Sequence, residues 1–324
     1  MDDRQEQIIE KYGFQVKNRY RVRGAVLLDT GEGLRMLRQC DRPGEHFSFE
    51  NRVKAYLAEK GFEMTDRVIN NLDGVAVTEC ENGDKYIVYQ WYSGNECDYR
   101  SKQDLCKAAK NLGRLHLALR GIAETPVPPE EDLMERYQRR ARELKRVYRF
   151  MKGKKRKSRF ELYALACYPE FSQKADEAER KLSQSAYFKK YGTGTRDLCH
   201  GEYNYHNLIM TEGGVATTNF ERMAYGMQLM DLAYFFRKVM EKNNWDAEKG
   251  KAILENYKEA AGLSPEEREF LWIVLSFPEK YWKLMNHYMN GKKTWISDKN
   301  MEKLKGVREQ EQAKENFLKT LLDL

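Results

Sequence analysis

The chain has 324 residues and 41% of them are hydrophobic, which suffices for one large or two modest cores and excludes a disordered chain. Its net charge of +7 favours anionic partners, among them nucleotide phosphates, and equally fits a merely solvated surface. The N-terminus is acidic and polar, and no run approaches the roughly 18 apolar residues of a membrane span. The sequence therefore predicts synthesis in the cytoplasm and no transmembrane helix.

The six cysteines are scattered along the chain, without a C-x-x-C pair or a neighbouring histidine cluster. Zinc sites use closely spaced Cys and His ligands, and disulfide frameworks are typical of short secreted chains. The cysteines are therefore expected to be reduced thiols.

The first 94 residues alternate strand and helix patterns. Short apolar runs joined by glycine-containing turns predict two hairpins, one over 22–37 and one over 74–91. Between them, apolar positions at helical spacing predict a helix over 45–60. This part of the chain is expected to be a small strand-rich unit with one helix.

From Asp104 onward the apolar spacing becomes helical. Prolines at 126, 128 and 129 break the chain, and the acidic residues at 130–132 favour a helix start after them. Residues 133–160 are dominated by Arg and Lys, concentrated at 139–159, beside an apolar stripe. This pattern predicts a helix that packs on one side, presents positive charge on the other and breaks near Gly153. Docking on an anionic layer or partner and a merely solvated face both fit this pattern. Nucleic-acid binding is the weaker interpretation, because no aromatic platform or reader motif accompanies the charge.

Histidine, carboxylate and amide residues concentrate in the stretch 197–236. The glycine-containing turn 211–214 predicts a hairpin whose return strand, 215–220, brings Asn219 and Glu221 beside Asn207. Two strand ends therefore meet at one place, with the residue types that a phosphate-handling site uses.

The C-terminal part is predicted to be helical. The expected helices span 223–240, 252–261, 265–277, 281–288 and, as a single amphipathic tail, 301–324.

The stretch 197–236 resembles the catalytic loop and metal-binding hairpin of the aminoglycoside phosphotransferase and choline kinase branch of the protein-kinase-like fold. That pattern reads His-Gly-Asp, four residues and Asn, then Asp-Phe/Trp-Glu and a later Asp-Leu-Ala. This chain reads His200-Gly201-Glu202, four residues and Asn207, then Asn219-Phe220-Glu221 and Asp231-Leu232-Ala233. The spacing is the same, but Glu202 and Asn219 replace two aspartates.

Nearly the whole chain is also similar to the spore coat protein S (CotS-like) family of endospore-forming bacteria, an offshoot of those phosphotransferases. The phrases that carry this similarity are CHGEYNYHN (199–207), TNFERMAYGMQLMDLAYFFRK (218–238), ELKRVYRFMKGKKRKSRFELYAL (143–165) and FPEKYWKLMNHYMNGKKTWIS (277–297). The similarity implies an α+β, two-lobed, protein-kinase-like fold. The implied lobes are a nucleotide-covering lobe at 1–94 and a mainly helical lobe at 95–324, which holds a basic helical insertion at 133–190 and the catalytic-loop-like segment 197–236.

The resemblance also implies a nucleotide site in the first lobe. Arg38 stands where the phosphate-contacting lysine is expected and Glu50 where its ion-pair partner lies. Gln90, Trp91 and Tyr92 occupy the hinge whose backbone reads adenine. Arginine keeps the charge, but its planar fork does not replace a compact ammonium at a tight phosphate site, and an ordinary surface pair of Arg38 with Glu50 is the alternative.

In the catalytic loop, the resemblance gives His200, Glu202 and Asn207 the catalytic positions. The family uses an aspartate to accept the hydroxyl proton, so Glu202 would be the general base. Glutamate is one methylene longer, and a misplacement of about 1 Å can cost on the order of a hundredfold in rate. The resemblance gives Asp231 a structural role, bracing this loop by accepting backbone hydrogen bonds.

The implied metal positions are Asn207, Asn219 and Glu221. Magnesium strongly favours carboxylate oxygen, and an amide brings no negative charge. ATP and Mg²⁺ are therefore the cofactors that the resemblance implies, and the residues at these positions disfavour both.

These observations predict a kinase-like protein of the spore coat that acts as a catalytically impaired coat component or scaffold. It is expected to dock on other coat proteins or an anionic surface through 139–159. The alternative is an active ATP-dependent phosphotransferase acting on a small-molecule or cell-envelope hydroxyl, and the minor alternative is a nucleic-acid-binding protein. The acceptor substrate, the coat partners and the oligomeric state stay open.

Overall fold

A computed structural model of the chain describes residues 3–22, 24–122, 131–192, 197–291 and 298–323. The chain forms two compact units. The first comprises Met1–Pro129, Asp197–Asp231 and Asn256–Ala261, and the second comprises Glu130–Arg196, Leu232–Glu255 and Gly262–Leu324.

The described strands are β1 (Val16–Val22), β2 (Ala25–Thr30), β3 (Gly33–Cys40), β4 (Val68–Ile69), β5 (Val77–Glu79), β6 (Lys85–Gln90), β7 (Asn95–Glu96), β8 (Asp197–Cys199), β9 (Leu208–Thr211), β10 (Gly214–Thr217) and β11 (Ala224–Gly226). The described α-helices are α1 (Asp3–Glu10), α2 (Gly44–Glu59), α3 (Lys102–Leu119), α4 (Leu133–Gly153), α5 (Arg159–Gln184), α6 (Ala186–Gly192), α7 (Leu229–Met240), α8 (Ala247–Ala261), α9 (Pro265–Ser276), α10 (Glu279–Asn290), α11 (Asp298–Glu309) and α12 (Glu311–Asp323). Single 3₁₀ turns lie at Tyr205–Asn207 and Phe220–Arg222.

The first unit is built on an antiparallel sheet of order β1-β2-β3-β6-β4, with β5 also paired to β6. Side chains alternate between its two faces. Leu37 and Val88 pack with α1 on one face, whereas Ile87 and Tyr89 pack with Phe47 of α2 on the other. The predicted hairpins and the predicted helix over 45–60 are confirmed, because the apolar runs, the glycine-containing turns and the helical spacing correctly marked these elements.

Two small sheets in the same unit support the stretch 197–236. Strands β7, β9 and β10 form one, and β8 pairs with β11 in the other. The predicted hairpin is confirmed, since Leu208–Thr211 and Gly214–Thr217 pair antiparallel. The return strand ends at Thr217, however, and Phe220 begins a 3₁₀ turn.

In the second unit, helix α4 begins and ends as the sequence predicts. The Asp132 side chain accepts the N–H groups of Met134 and Glu135, and the helix ends at Gly153. Helix α5 then starts with a capping box between Ser158 and Glu161. The basic segment is therefore two capped helices joined by a short turn.

Two predictions about helices are wrong. The chain at 223–228 is not helical, because Ala224–Gly226 pairs with β8, and α7 begins only at Leu229. The tail is not one helix but two, α11 and α12, which meet at Gln310. Among the described residues, no helix is long and apolar enough to cross a membrane.

Candidate functional site

The loop after β8 is held by Asp231 in the first turn of α7. The backbone N–H of His200 donates to Asp231 Oδ2 at 2.7 Å, and that of Gly201 donates to Oδ1 at 2.9 Å. These are the backbone hydrogen bonds that the resemblance implies for this aspartate. Gly201 has φ +78°, and a Cβ there would lie 1.8 Å from the carbonyl oxygen of Arg222. The loop therefore requires glycine at this position and is fixed on both sides.

His200 is fully buried and positions the same loop. Its Nδ1 accepts the backbone N–H of Glu202 at 3.2 Å, so the ring proton is on Nε2, which lies 3.1 Å from the carbonyl oxygen of Thr218. Burial lowers the pKa of this imidazole, which keeps it neutral. Its geometry is that of a positioning residue that links the loop to the hairpin.

Glu202 and Asn207, the two other predicted loop residues, lie together. The Asn207 amide donates to the backbone oxygen of Glu202 at 2.9 Å, so this side chain shapes the loop. The Glu202 carboxylate is 30% exposed, and its Oε2 lies 3.1 Å from Nε of Arg222. The same oxygen is 3.5 Å from the amide nitrogen of Asn219. Glu202 thus offers a partly exposed carboxylate that already contacts a cation.

Arg38 on β3 reaches the end of the hairpin. Its guanidinium donates to the Glu221 carboxylate and, at 3.3 Å, to Asn219 Oδ1. It lies 4.9 Å from the centre of the Tyr89 ring, whose hydroxyl donates to Glu221 at 3.3 Å. Burial disfavours the charged guanidinium, but Tyr89, Glu221 and Asp66 outweigh it and raise the pKa of Arg38. Arg38, the predicted phosphate contact, therefore binds Asn219 and Glu221, two of the predicted metal ligands.

The expected pairing of Arg38 with Glu50 is wrong. The Glu50 carboxylate pairs with Lys54, one helical turn further along α2, and both side chains are fully buried. The Lys54 ammonium also lies 2.6 Å from Asp66 Oδ1. Two carboxyl groups share one ammonium, and burial raises the pKa of Glu50 to about 7.

Lys54 and Asp66 are the site residues that sequence reasoning missed. The i, i+4 spacing of Glu50 and Lys54 is a signal for their pair, whereas nothing in the sequence points to Asp66. Asp66 Oδ2 accepts the backbone N–H of Asn219 at 2.8 Å and so helps to hold Asn219 in a left-handed conformation, φ 66°. The buried cluster thus fixes the position of the predicted metal residue.

The three predicted hinge residues lie at the end of β6 and just after it. The Gln90 N–H donates to the carbonyl of Arg67 at 2.8 Å, and the Trp91 N–H donates to that of Leu34 at 3.0 Å. The Tyr92 hydroxyl donates to the carbonyl of Thr65 at 2.9 Å. Two backbone donors of the predicted adenine-reading segment are therefore engaged within the chain.

The donor set at this place does not fit a magnesium ion. Glu202 and Glu221 each face an arginine, and Asn207 and Asn219 contribute neutral amides. Over the described parts of the chain, there is no group of three or more His, Cys, Asp or Glu side chains that would hold a metal. Hard divalent cations favour several carboxylate oxygens, which this arrangement does not offer.

Comparisons with known proteins agree over most of the chain. The model of a family described as "Spore coat putative kinase YutH" matches residues 5–321. Spore coat protein S of Bacillus subtilis (strain 168) is 24% identical over 320 residues, which cover 92% of this chain and 86% of that protein.

Two solved structures are similar in fold. An aminoglycoside phosphotransferase from Alicyclobacillus acidocaldarius matches with a TM-score of 0.88 at 18% identity, over 98% of this chain and 94% of that one. The amicoumacin kinase hAmiN, in complex with AMP-PNP, Ca²⁺ and Ami, matches with a TM-score of 0.63 at 13% identity, also over 98% and 94%. The predicted α+β, protein-kinase-like fold of the aminoglycoside phosphotransferase type is confirmed.

Proposed function

Because the chain belongs to the YutH family of spore coat proteins, we propose that it is a kinase-like coat component whose phosphotransfer site has become a structural element. It is made as a cytoplasmic protein and joins the spore coat, where it acts as a scaffold for other coat proteins. The similarity to spore coat protein S supports this location.

The observation that carries the proposal is the contact of Arg38 with Glu221 and Asn219. In a phosphotransferase of this fold, a cation at the position of Arg38 contacts nucleotide phosphates, and carboxylates at the metal positions hold the metal ions. Here the Arg38 guanidinium neutralises the Glu221 carboxylate directly. An internal ion pair takes the place of the contacts through which nucleotide and metal would bridge these residues.

Nucleotide binding would have to break this arrangement. Arg38 and Glu221 are only 26% and 27% exposed, so separating them leaves two poorly solvated charges. Asn219 would then contribute a neutral amide where a magnesium ion needs negative charge. The scaffold role therefore requires no ATP, and we expect the protein to be folded and stable without it.

Isothermal titration calorimetry of the purified protein with ATP, with and without Mg²⁺, tests this proposal. We expect no magnesium-dependent binding by the wild type or by Glu202→Ala. Asn219→Asp returns a carboxylate to the site, so any gain of binding by this variant alone supports loss of an ancestral function. Asn290→Asp makes the same chemical change at an exposed position in the second unit and should gain nothing. Micromolar, magnesium-dependent binding by the wild type would refute the proposal.

One observation favours a second function, an active ATP-dependent phosphotransferase acting on a small-molecule or cell-envelope hydroxyl. The Glu202 carboxylate is partly exposed and lies in a loop that Asp231 braces. A carboxylate so placed is what proton acceptance from a hydroxyl requires. This alternative predicts magnesium-dependent turnover of ATP that Glu202→Ala abolishes.

A further inference from the structure

Positive charge is concentrated in one segment of the second unit. Residues 142–159 contain ten basic residues and one acidic residue, a net charge of +9, whereas the whole chain carries +7. The remainder of the chain is therefore slightly acidic. The mild basicity of the protein comes entirely from this segment.

Helix α4 separates its charge from its apolar side chains. At 100° per residue, the buried residues fall on one side of the helix and the exposed cations on the other. The buried side comprises Leu133, Tyr137, Leu144, Val147 and Met151. The exposed side, here called the basic face, comprises Arg142, Lys145, Arg146, Arg149 and Lys152.

The basic face lacks the acidic partners that neighbouring cations have. Arg139 pairs with Glu131 and Glu143, and Arg140 pairs with Glu279. Within the described ranges, no ion pair involves any cation of the basic face. Like charges three or four residues apart on a helix repel one another by a few tenths of a kcal/mol per pair. Clustering these cations therefore lowers the stability of the helix, and a surface that only has to be solvated would not require such clustering.

The packing of α4 decides which anionic partner fits. Tyr148 stacks on Tyr168 of α5 with ring centres 4.0 Å apart, and Arg140 lies 4.0 Å from the ring centre of Trp282 on α10. Both contacts lie beside the apolar side of α4, and the basic face holds no aromatic side chain on which a nucleic-acid base would stack. Its apolar stripe is buried in the unit, so it cannot insert between lipids.

The spacing of the cations fits an acidic helix. From Arg142 to Lys152 the face extends about 15 Å, at a rise of about 1.5 Å per residue, with a cation every three or four residues. Acidic side chains at i, i+3 and i+7 of a partner helix repeat at the same interval. We infer that the basic face is the docking surface for an acidic helical segment of a protein partner. Its role in the coat rests on the proposed function, but the contact itself does not depend on nucleotide binding.

The test measures binding of a synthetic helical peptide with glutamates at i, i+3, i+7 and i+10 to the full chain, by fluorescence anisotropy at low and high salt. We expect binding that weakens with salt, and at least about a tenfold loss in the triple variant Arg142→Glu, Arg146→Glu, Arg149→Glu. The matched control, Lys299→Glu, Lys303→Glu, Lys319→Glu, makes the same charge change at exposed residues of α11 and α12 and should bind like the wild type.

Circular dichroism first establishes that both triple variants retain their helix content, which is expected because all six side chains are exposed. Equal loss in the two triples would overturn the inference, because net charge alone would then explain binding. A peptide with glutamine in place of glutamate should not bind. Preference for duplex DNA or for vesicles of anionic lipid over the acidic peptide would overturn the choice of partner. ATP titration on the same samples reports on the proposed function separately.

Discussion

The contact between Arg38 and Glu221 is expected to stabilise the folded protein without any ligand. We predict that Arg38→Met, Glu221→Gln and the double variant give a coupling free energy of about 1–2 kcal/mol in a double-mutant cycle. The two side chains are about three-quarters buried, so the value should exceed the roughly 0.2–1 kcal/mol of exposed pairs. It should stay below the roughly 3–5 kcal/mol lost when one partner of a fully buried pair is removed.

The assay is urea unfolding of the four proteins, followed by far-UV circular dichroism, with the coupling taken from the non-additivity of the unfolding free energies. The control is the pair of Arg35, also on β3, with Glu32 in the turn before that strand. Its atoms are 3.6 Å apart and Glu32 is 79% exposed, so the same cycle there should give less than about 0.5 kcal/mol. A coupling for Arg38 and Glu221 no larger than this control would refute the argument that the ion pair replaces a bound nucleotide.

Three further predictions concern the loop and the buried cluster. Gly201→Ala should lower the free energy of unfolding by at least about 2 kcal/mol, because its Cβ would clash with the Arg222 carbonyl. The control is Gly121→Ala, which has the same φ of +78° but nothing within 4 Å, and it should cost about 1 kcal/mol. Equal losses in urea unfolding would contradict the steric argument. Because the folded-state pKa of Glu50 is raised to about 7, its contribution to stability is fully present below its unfolded pKa and is lost as the pH rises through about 7, by about 3 kcal/mol in all. The urea midpoint of the wild type should be higher near pH 5 than near pH 8, and Glu50→Gln should lack this difference. An unchanged pH dependence in the variant would exclude Glu50 as its source. Asp231→Asn removes a charged acceptor from two loop N–H groups and should cost about 2–3 kcal/mol in the same unfolding assay, whereas a loss under about 0.5 kcal/mol would show that the loop needs no such brace.

The sequence by itself determined the hairpins and helix α2 of the first unit and the identity of the loop. Apolar runs joined by glycine-containing turns marked the hairpins, and helical spacing marked α2, since each signal depends on residues close together in the chain. The resemblance of His200-Gly201 and Asp231-Leu232-Ala233 to the phosphotransferase pattern identified the loop and its brace, and the backbone hydrogen bonds to Asp231 agree with it.

Only the tertiary structure decided which charges meet. Arg38 lies on β3, and its long side chain reaches Glu221, 183 residues away in the chain. Glu50 pairs with Lys54, and Asp66 joins them from outside the helix. Spacing along an element fixes contacts within about one turn or one strand pair. The partner of a charge between elements depends on side-chain reach and on burial, which only the packed chain defines.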